Sequence, residues 1–341
     1  MTRQNEDFRK IPGRKVLVYG AGVIGSYLTH VLCAAGNEVT VMARGRWKQV
    51  LEENGLRIRH HLQRRETLDH PKVIGSVEEA ESYDAVFAVM PSNKMSLILE
   101  PLARIDTPLV VLVGNNTDPA GMEKIILEKA ASPRKVLFGF QGTAGKRDWE
   151  QGRVICERLG KGSMDIGGLH AMPDADTMQK LEALFIGTGY RLNWLPDMAA
   201  FLLCHQALVL PICFLAYACG TDLRRSNSRQ RKQMRLATRQ AYALLASQGI
   251  PILPEGDEKF FGSGPAGLVM KVMYFGMTKI GIVGDLIACE HCRNAYEEMQ
   301  ALDESFAGII AKAPDFPMPD WNALKAQMPG WEEIRKQYGC K

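Results

Sequence analysis

Lys15-Val16-Leu17-Val18-Tyr19-Gly20-Ala21-Gly22-Val23-Ile24-Gly25-Ser26 is the stretch that decides the reading of this chain. Five residues of β character lead into a G-x-G-x-x-G turn, Gly20 to Gly25, and a helical stretch, Ser26 to Ala35, follows. Gly36-Asn37 breaks the helix, and Glu38-Val39-Thr40-Val41-Met42 supplies a second short strand. Strand, glycine turn, helix and strand within about thirty residues is a βαβ unit. The glycine pattern alone is weak, but between a strand and a helix it is the signature of a dinucleotide cradle. Gly20 permits the tight turn, Gly22 lets the backbone approach a pyrophosphate, and Gly25 lets helix and strand pack closely. Ala21, Val23 and Ile24 complete the cradle, where unpaired N–H groups at the helix start meet phosphates. The plainer reading is a glycine turn without a ligand.

Outward from this unit the alternation continues. Leu56 to Arg59 and Lys72 to Ile74 are short strand-like pieces, and Asp84 to Met90 is a buried strand stopped by Pro91. Ser96 to Arg104 reads as helix, Leu109 to Val113 as strand, Pro119 to Lys129 as helix and Lys135 to Phe140 as strand. Strands alternating with helices imply a parallel sheet with covered faces. Gly139 to Gly168 reads as hairpins closing the first domain, followed by a helix, Asp176 to Ile186, and a last strand, Tyr190 to Leu195. After Pro196-Asp197 the strand pattern ends. Met198 to Ala218, Arg229 to Gln248, Pro265 to Ile280 and Asp285 to Lys312 all read as helices, and a proline-bearing tail ends in a short helix near Trp331. The expected fold is therefore α/β: a Rossmann-type parallel-sheet domain over 1–195, then a mostly α-helical domain over 196–341, with a cleft between them.

Composition narrows the function classes. A chain of 341 residues with 46% apolar and 23% charged residues can bury a large core without staples. A net charge of +4 is too small and too scattered to argue for nucleic acid. Eight cysteines are spread through the chain, several in apolar runs (Cys33, Cys204, Cys213 and Cys219), so they read as free thiols in a reducing, cytoplasmic compartment. The start, Met1 to Gly13, is polar and lacks a signal-peptide segment. Met198 to Cys219 has the length of a membrane span, but His205, Gln206 and Pro211 favour a buried helix.

The residue ending the second strand selects the cofactor. An acid there would hold the ribose hydroxyls of NAD; this chain has Met42-Ala43-Arg44-Gly45-Arg46. A guanidinium at Arg44 suits a 2′-phosphate, with forked donors and a fixed charge, so NADP(H) is the expected cofactor. Met90, Pro91 and Asn115, which follow two of the apolar strands, join the cofactor-facing set, since ligands bind at the carboxyl ends of such strands.

Taken together, Val18 to Ser26, Ala43-Arg44-Gly45, Asn54-Gly55-Leu56, Tyr83 to Val89 and Val111 to Asn116 resemble the ketopantoate reductase family, over about residues 14 to 195. The resemblance implies a two-domain enzyme that passes hydride from NADPH to the keto carbon of a small-molecule 2-oxo acid. It implies an asparagine at 115 facing nicotinamide and substrate. It also implies a lysine near position 202 as proton donor, where this chain has Leu202 and no lysine between Arg191 and Arg231. The family's two helix asparagines fall near Gln206 and Leu210, and a further family lysine is replaced by Pro91. Thr278-Lys279-Ile280-Gly281 is the nearest echo of a Thr-Glu-Ile-Asp-like run, which would put Lys279 where the family has a carboxylate.

The expected catalytic set is Asn115 with a donor among Lys94, His205 and Lys279. Asn115 alternatively reads as a turn residue, and His205 as a core histidine. Cys289-Glu290-His291-Cys292 lacks the second ligand pair of a structural zinc site, so no metal is expected; Glu290, His291 or Arg293 facing the cleft is the stronger reading. Val269, Met270, Met273 and Met277 form a stripe read as core packing. Arg57, Arg59, Arg64 and Arg65 read as a solvated hairpin face. Arg224, Arg225, Arg229, Arg231 and Arg235 read as solvated, with a homodimer contact as the alternative. A different class is a nicotinamide-nucleotide sensor without turnover, motivated by the missing lysine.

Overall fold

A computed structural model describes residues 13–158, 160–280 and 284–339. The polar start Met1–Pro12, Gly281 and Cys340 lie outside these residues. The chain divides into two compact units. The first holds residues 13–90, 94–114 and 119–196; the second holds 91–93, 115–118 and 197–339.

The first unit is built on β1 (Lys15–Tyr19), α1 (Val23–Ala34), β2 (Glu38–Met42), α2 (Gly45–Asn54), β3 (Leu56–His60), β4 (Arg65–Asp69), β5 (Lys72–Ile74) and β6 (Ala85–Val89). After α3 (Ser92–Met95), whose Ser92 and Asn93 belong to the second unit, it continues through α4 (Leu99–Ala103), β7 (Leu109–Val113), α5 (Pro119–Lys129), β8 (Lys135–Phe140), β9 (Ala144–Asp148), β10 (Arg153–Glu157), β11 (Ser163–Gly167), α6 (Ala175–Ala183) and β12 (Arg191–Trp194). Eight strands form one sheet in the order β12-β11-β8-β7-β6-β1-β2-β5. The run from β5 to β8 is parallel throughout. Its inner strands β6 and β7 are buried at every residue, as continuous apolar runs in a doubly covered sheet must be. Only β11 breaks the parallel pattern, pairing antiparallel with β8 and parallel with β12.

The glycine-rich stretch Gly139 to Gly168 departs from expectation. It contributes one hairpin, β9–β10, and that hairpin leaves the main sheet. It joins the hairpin β3–β4 in a second sheet, β4-β3-β10-β9, through parallel pairing of β10 with β3. The physical reason lies in the alternation. Leu56 and Ile58 on β3 and Val154 and Cys156 on β10 each give their strand one apolar face. Those faces are buried in the core cluster that also holds Tyr27, Leu28 and Val31 of α1.

The second unit is helical among its described residues: α7 (Met198–Ala218), α8 (Ser228–Ser247), α9 (Pro265–Lys279), α10 (Glu290–Asn294), α11 (Tyr296–Ala311), α12 (Pro319–Lys325) and α13 (Trp331–Tyr338). Local chemistry sets the starts. Asp197 caps α7 by accepting from the Ala200 N–H. Asn227 and Gln230 form a capping box on α8. Pro265 and Pro319 open α9 and α12, where a missing N–H costs nothing. Helix α7 is long and apolar enough to cross a membrane by length and composition, and 67% of its most apolar window is buried inside the protein.

Three expectations fail here. Asp285 to Lys312 is not one helix: a wide π turn, Asp285–Cys289, runs into α10, and Ala295, at φ −132° and ψ 37°, breaks the chain before α11. The methionine stripe on α9 is core only in part, since Met270 packs against the core cluster that holds Met277. Only Met277 is buried, while Val269 and Met273 are more than half exposed beside Leu268, Val272 and Phe275. Arg231 and Arg235 are not free in solvent: their guanidinium groups donate to the carbonyls of Ser226 and Phe261.

Candidate functional site

In the first unit the glycine turn is built by sterics. Gly20 sits at φ +120°, and a Cβ there would meet the Val89 carbonyl oxygen at 2.2 Å and Met90 Sδ at 3.3 Å. A Cβ on Gly25 would lie 1.9 Å from the Gly20 carbonyl oxygen, so α1 can close onto β1 only through glycine. Gly22 differs: a Cβ there meets no protein atom within 4 Å. Glycine at this position leaves space that no side chain of the protein fills. Gly22 is also the N-cap of α1, without a side-chain cap and with no acid in the first turn. The N–H groups of Val23 and Ile24 therefore stand at an uncapped helix start, with the positive end of the peptide dipoles behind them. Met90 lies at the same place, since its carbonyl oxygen would be 2.8 Å from a Cβ on Gly114, at φ +145°. These features fit a phosphate-bearing dinucleotide.

Arg44 follows β2 as the N-cap of α2, with its side chain exposed and Nη2 donating to Tyr19 Oη at 3.0 Å. It forms no ion pair among the described residues, although its charge acts on the Glu78 carboxylate. The phenol fixes one edge of the guanidinium and leaves the fork open.

In the second unit a buried carboxylate organises a polar cluster that the sequence reading missed. Glu298, on α11, is 5% exposed. Its Oε1 accepts from the Asn115 Nδ2 at 3.1 Å and from the Ser92 backbone N–H at 3.3 Å. Its Oε2 lies 3.3 Å from His291 Nε2 on α10. Burial pushes the Glu298 pKa up, but the His291 contact, the Asn115 amide and the Ser92 N–H outweigh it and hold the carboxyl below its ordinary range. Burial pulls the His291 pKa down, and the hydrogen bond and charge of Glu298 reverse this, leaving it above 6.5. The His291 side chain is about half exposed, at 46%. The helix break makes the pair: seven residues along a straight helix span about 10 Å, too far for this contact. The non-helical Ala295 between them brings the two side chains together.

The loops around Glu298 are tied in the same way. Asn93 Nδ2 donates to Glu297 Oε2 at 3.0 Å, and Ser92 Oγ donates to Thr117 Oγ1 at 3.1 Å. The Oδ1 of Asn115 and the Oε1 of Gln206 are buried acceptors without a hydrogen-bond partner. His205 shares these surroundings: burial, slightly offset by Glu298, brings its pKa down to about 4. The imidazole stacks on Phe201 and is neutral at physiological pH.

The other sequence candidates make none of the hydrogen bonds of this cluster. Lys279 donates to the carbonyls of Arg224 and Ser226, at 3.2 and 3.4 Å. Lys94, on α3 and assigned to the first unit, is exposed and carries no ion pair among the described residues. Pro91 is exposed and belongs to the second unit with Ser92. Leu202 and Leu210 are buried among apolar neighbours. Cys289 and Cys292 are buried with raised and lowered thiol pKa respectively, and His291 turns to Glu298 rather than to them. No group of side chains able to hold a metal ion occurs among the described residues. The missed Glu298 left one weak trace, an acid inside the apolar spacing of Met299, Leu302 and Phe306.

The family profile described as ketopantoate reductase PanE/ApbA matches residues 16–170. Among solved structures, a PanE/ApbA family ketopantoate reductase from Ralstonia eutropha JMP134 is similar at 17% identity and a TM-score of 0.70, covering 95% of this chain and 99% of that one. The 2-dehydropantoate 2-reductase of Methylococcus capsulatus is similar at 16% identity and 0.66, covering 96% and 98%. A D-mandelate dehydrogenase solved with NADH and anilino(oxo)acetate is similar at 13% identity and 0.68, covering 95% and 99%. At these identities the likeness shows the fold. No functionally curated protein matches the sequence.

Proposed function

Since residues 16–170 of this chain match the family profile described as ketopantoate reductase PanE/ApbA, we propose that the protein is an NADP(H)-dependent oxidoreductase reducing a 2-oxo acid to a 2-hydroxy acid. The observation that carries this reading is the Gly22 position, open at an uncapped helix start, with Arg44 in place of the acid that would suit NAD. Gly20 to Gly25 hold the pyrophosphate, Arg44 reads the 2′-phosphate, and Met90, Pro91 and Asn115 serve the nicotinamide end. When bound, the dinucleotide supplies hydride.

The protein's own part is orientation and the proton. Reduction of a ketone builds negative charge on oxygen, and a positioned donor must meet it. His291, whose pKa the Glu298 carboxylate raises, holds that proton in place of the lysine expected near 202. Asn115, fixed through its Nδ2, offers Oδ1 to a ligand amide or hydroxyl. His205, neutral and next to the same carboxylate, is the second donor. Lys279 and Lys94 remain weaker proposals, one committed to backbone carbonyls and the other solvated.

The test pairs nucleotide titration with a turnover assay against a panel of 2-oxo acids. NADPH is expected to bind more tightly than NADH, and Arg44→Asp to narrow or reverse the gap. Equal affinities in the parent protein would refute the 2′-phosphate assignment. Saturable binding without turnover on any 2-oxo acid would favour a nucleotide sensor, the reading that the missing lysine motivates.

A further inference from the structure

Building on the dinucleotide reading above, we infer that Arg147 is a cofactor-binding residue whose guanidinium takes an oxygen of the pyrophosphate at the glycine turn. Strand β9 is seated directly on the start of α1. Gly145, at φ +142°, leaves room for only a hydrogen, since a Cβ would lie 2.0 Å from the Ile155 carbonyl oxygen, and it would also come within 3.1 Å of Val23 Cγ1 at the start of α1. Two residues on, Arg147 Nη2 donates to the Ala21 carbonyl at 2.8 Å, inside the glycine turn itself. Its guanidinium carbon lies 5.2 Å from the ring centroid of Trp47 and 5.7 Å from that of Trp149. The indoles shield the cation from water.

The charge has no protein counterpart. No carboxylate pairs with Arg147 among the described residues. The hairpin does carry an acid, Asp148, but it is bound to Arg153, which also takes Glu66. Arg147 Nε is buried and has no hydrogen-bond partner. Nη1 has no acceptor among the described residues. Burial lowers the pKa of the guanidinium, as an uncompensated cation requires. The start of α1 adds potential of the same sign, without an acid in its first turn. Two positive centres facing one turn oppose folding until an anion sits between them. The pyrophosphate is the anion that the turn is shaped to receive.

The experiment titrates the full-length protein with NADPH and with NADH, for the parent, Arg147→Met and Arg147→Lys, and records thermal midpoints without nucleotide. Arg147→Met is expected to weaken both nucleotides by the same factor, at least about tenfold. Arg147→Lys, which keeps the charge but loses the planar fork, should fall between the parent and Arg147→Met for both nucleotides. The nucleotide-free midpoints should agree within a few degrees. Loss confined to NADPH moves Arg147 to the third phosphate and overturns the assignment. Unchanged affinity for both nucleotides overturns it too, leaving a structural tie to Ala21. Should Arg147→Met not fold, Arg147→Gln, which keeps a donor for Ala21, carries the same expectation. A parent protein that binds neither nucleotide overturns the cofactor reading itself, a failure visible before any variant is made.

Discussion

Gly22 and Gly25 are three positions apart, yet the space around them assigns opposite roles. Alanine at 25 would drive a methyl group into the Gly20 carbonyl, so α1 must lift from β1. We expect Gly25→Ala to cost about 2–4 kcal/mol in a denaturant titration. Alanine at 22 meets no protein atom, and its backbone, at φ −73°, suits any residue. Gly22→Ala should leave stability within about 0.5 kcal/mol and lose nucleotide affinity. If both variants unfold alike, the open space at 22 is not a ligand space. Both roles were legible in the sequence because the glycine spacing encodes backbone contacts within six residues. Glu298 was not legible, because its partners Ser92 and Asn115 lie about two hundred residues away in the chain.

At the scale of elements, the sequence marked those that carry their own ends. Helices α5, α7 and α9 begin at Pro119, Met198 and Pro265, the starts read from the sequence. The pattern failed where the end has no local signal. Ala295 has neither a capping side chain nor a proline beside it, and the apolar spacing continues across the break. That break creates the contact between His291 and Glu298. Replacing Glu298 by Gln removes the charge that raises the His291 pKa while keeping an acceptor for Asn115. The alkaline limb of the rate profile should then move to lower pH, and His291→Gln should lower kcat by about 10²- to 10⁴-fold. An alkaline limb that does not move in Glu298→Gln would remove His291 from the proton path. The exposed apolar stripe of α9 shows a different failure: helical periodicity identifies a face but not what covers it.

At the scale of the whole molecule, stability should depend on acid through buried imidazoles. His60 is fully buried between Thr67 and Arg158, and burial, with His30 and the nearby arginines, brings its pKa down to about 3. His205 moves the same way, to about 4. Between these values and 6.5 the unfolded chain binds more protons than the folded one. Stability therefore rises with pH through that window and is fully present above it. Thermal midpoints should fall steadily from pH 7 to pH 4, and His60→Asn should flatten the slope; a flat parent profile would contradict the burial of His60. The small sheet has a consequence in time. β3 leaves the ribosome early, but β10, its parallel partner, is made some ninety residues later. A nascent chain stopped after β8 would hold a complete glycine turn but no Arg147, and its half-built second sheet would present Leu56 and Ile58 to chaperones. Nucleotide capture during translation should thus stay weaker until the β9–β10 hairpin has emerged.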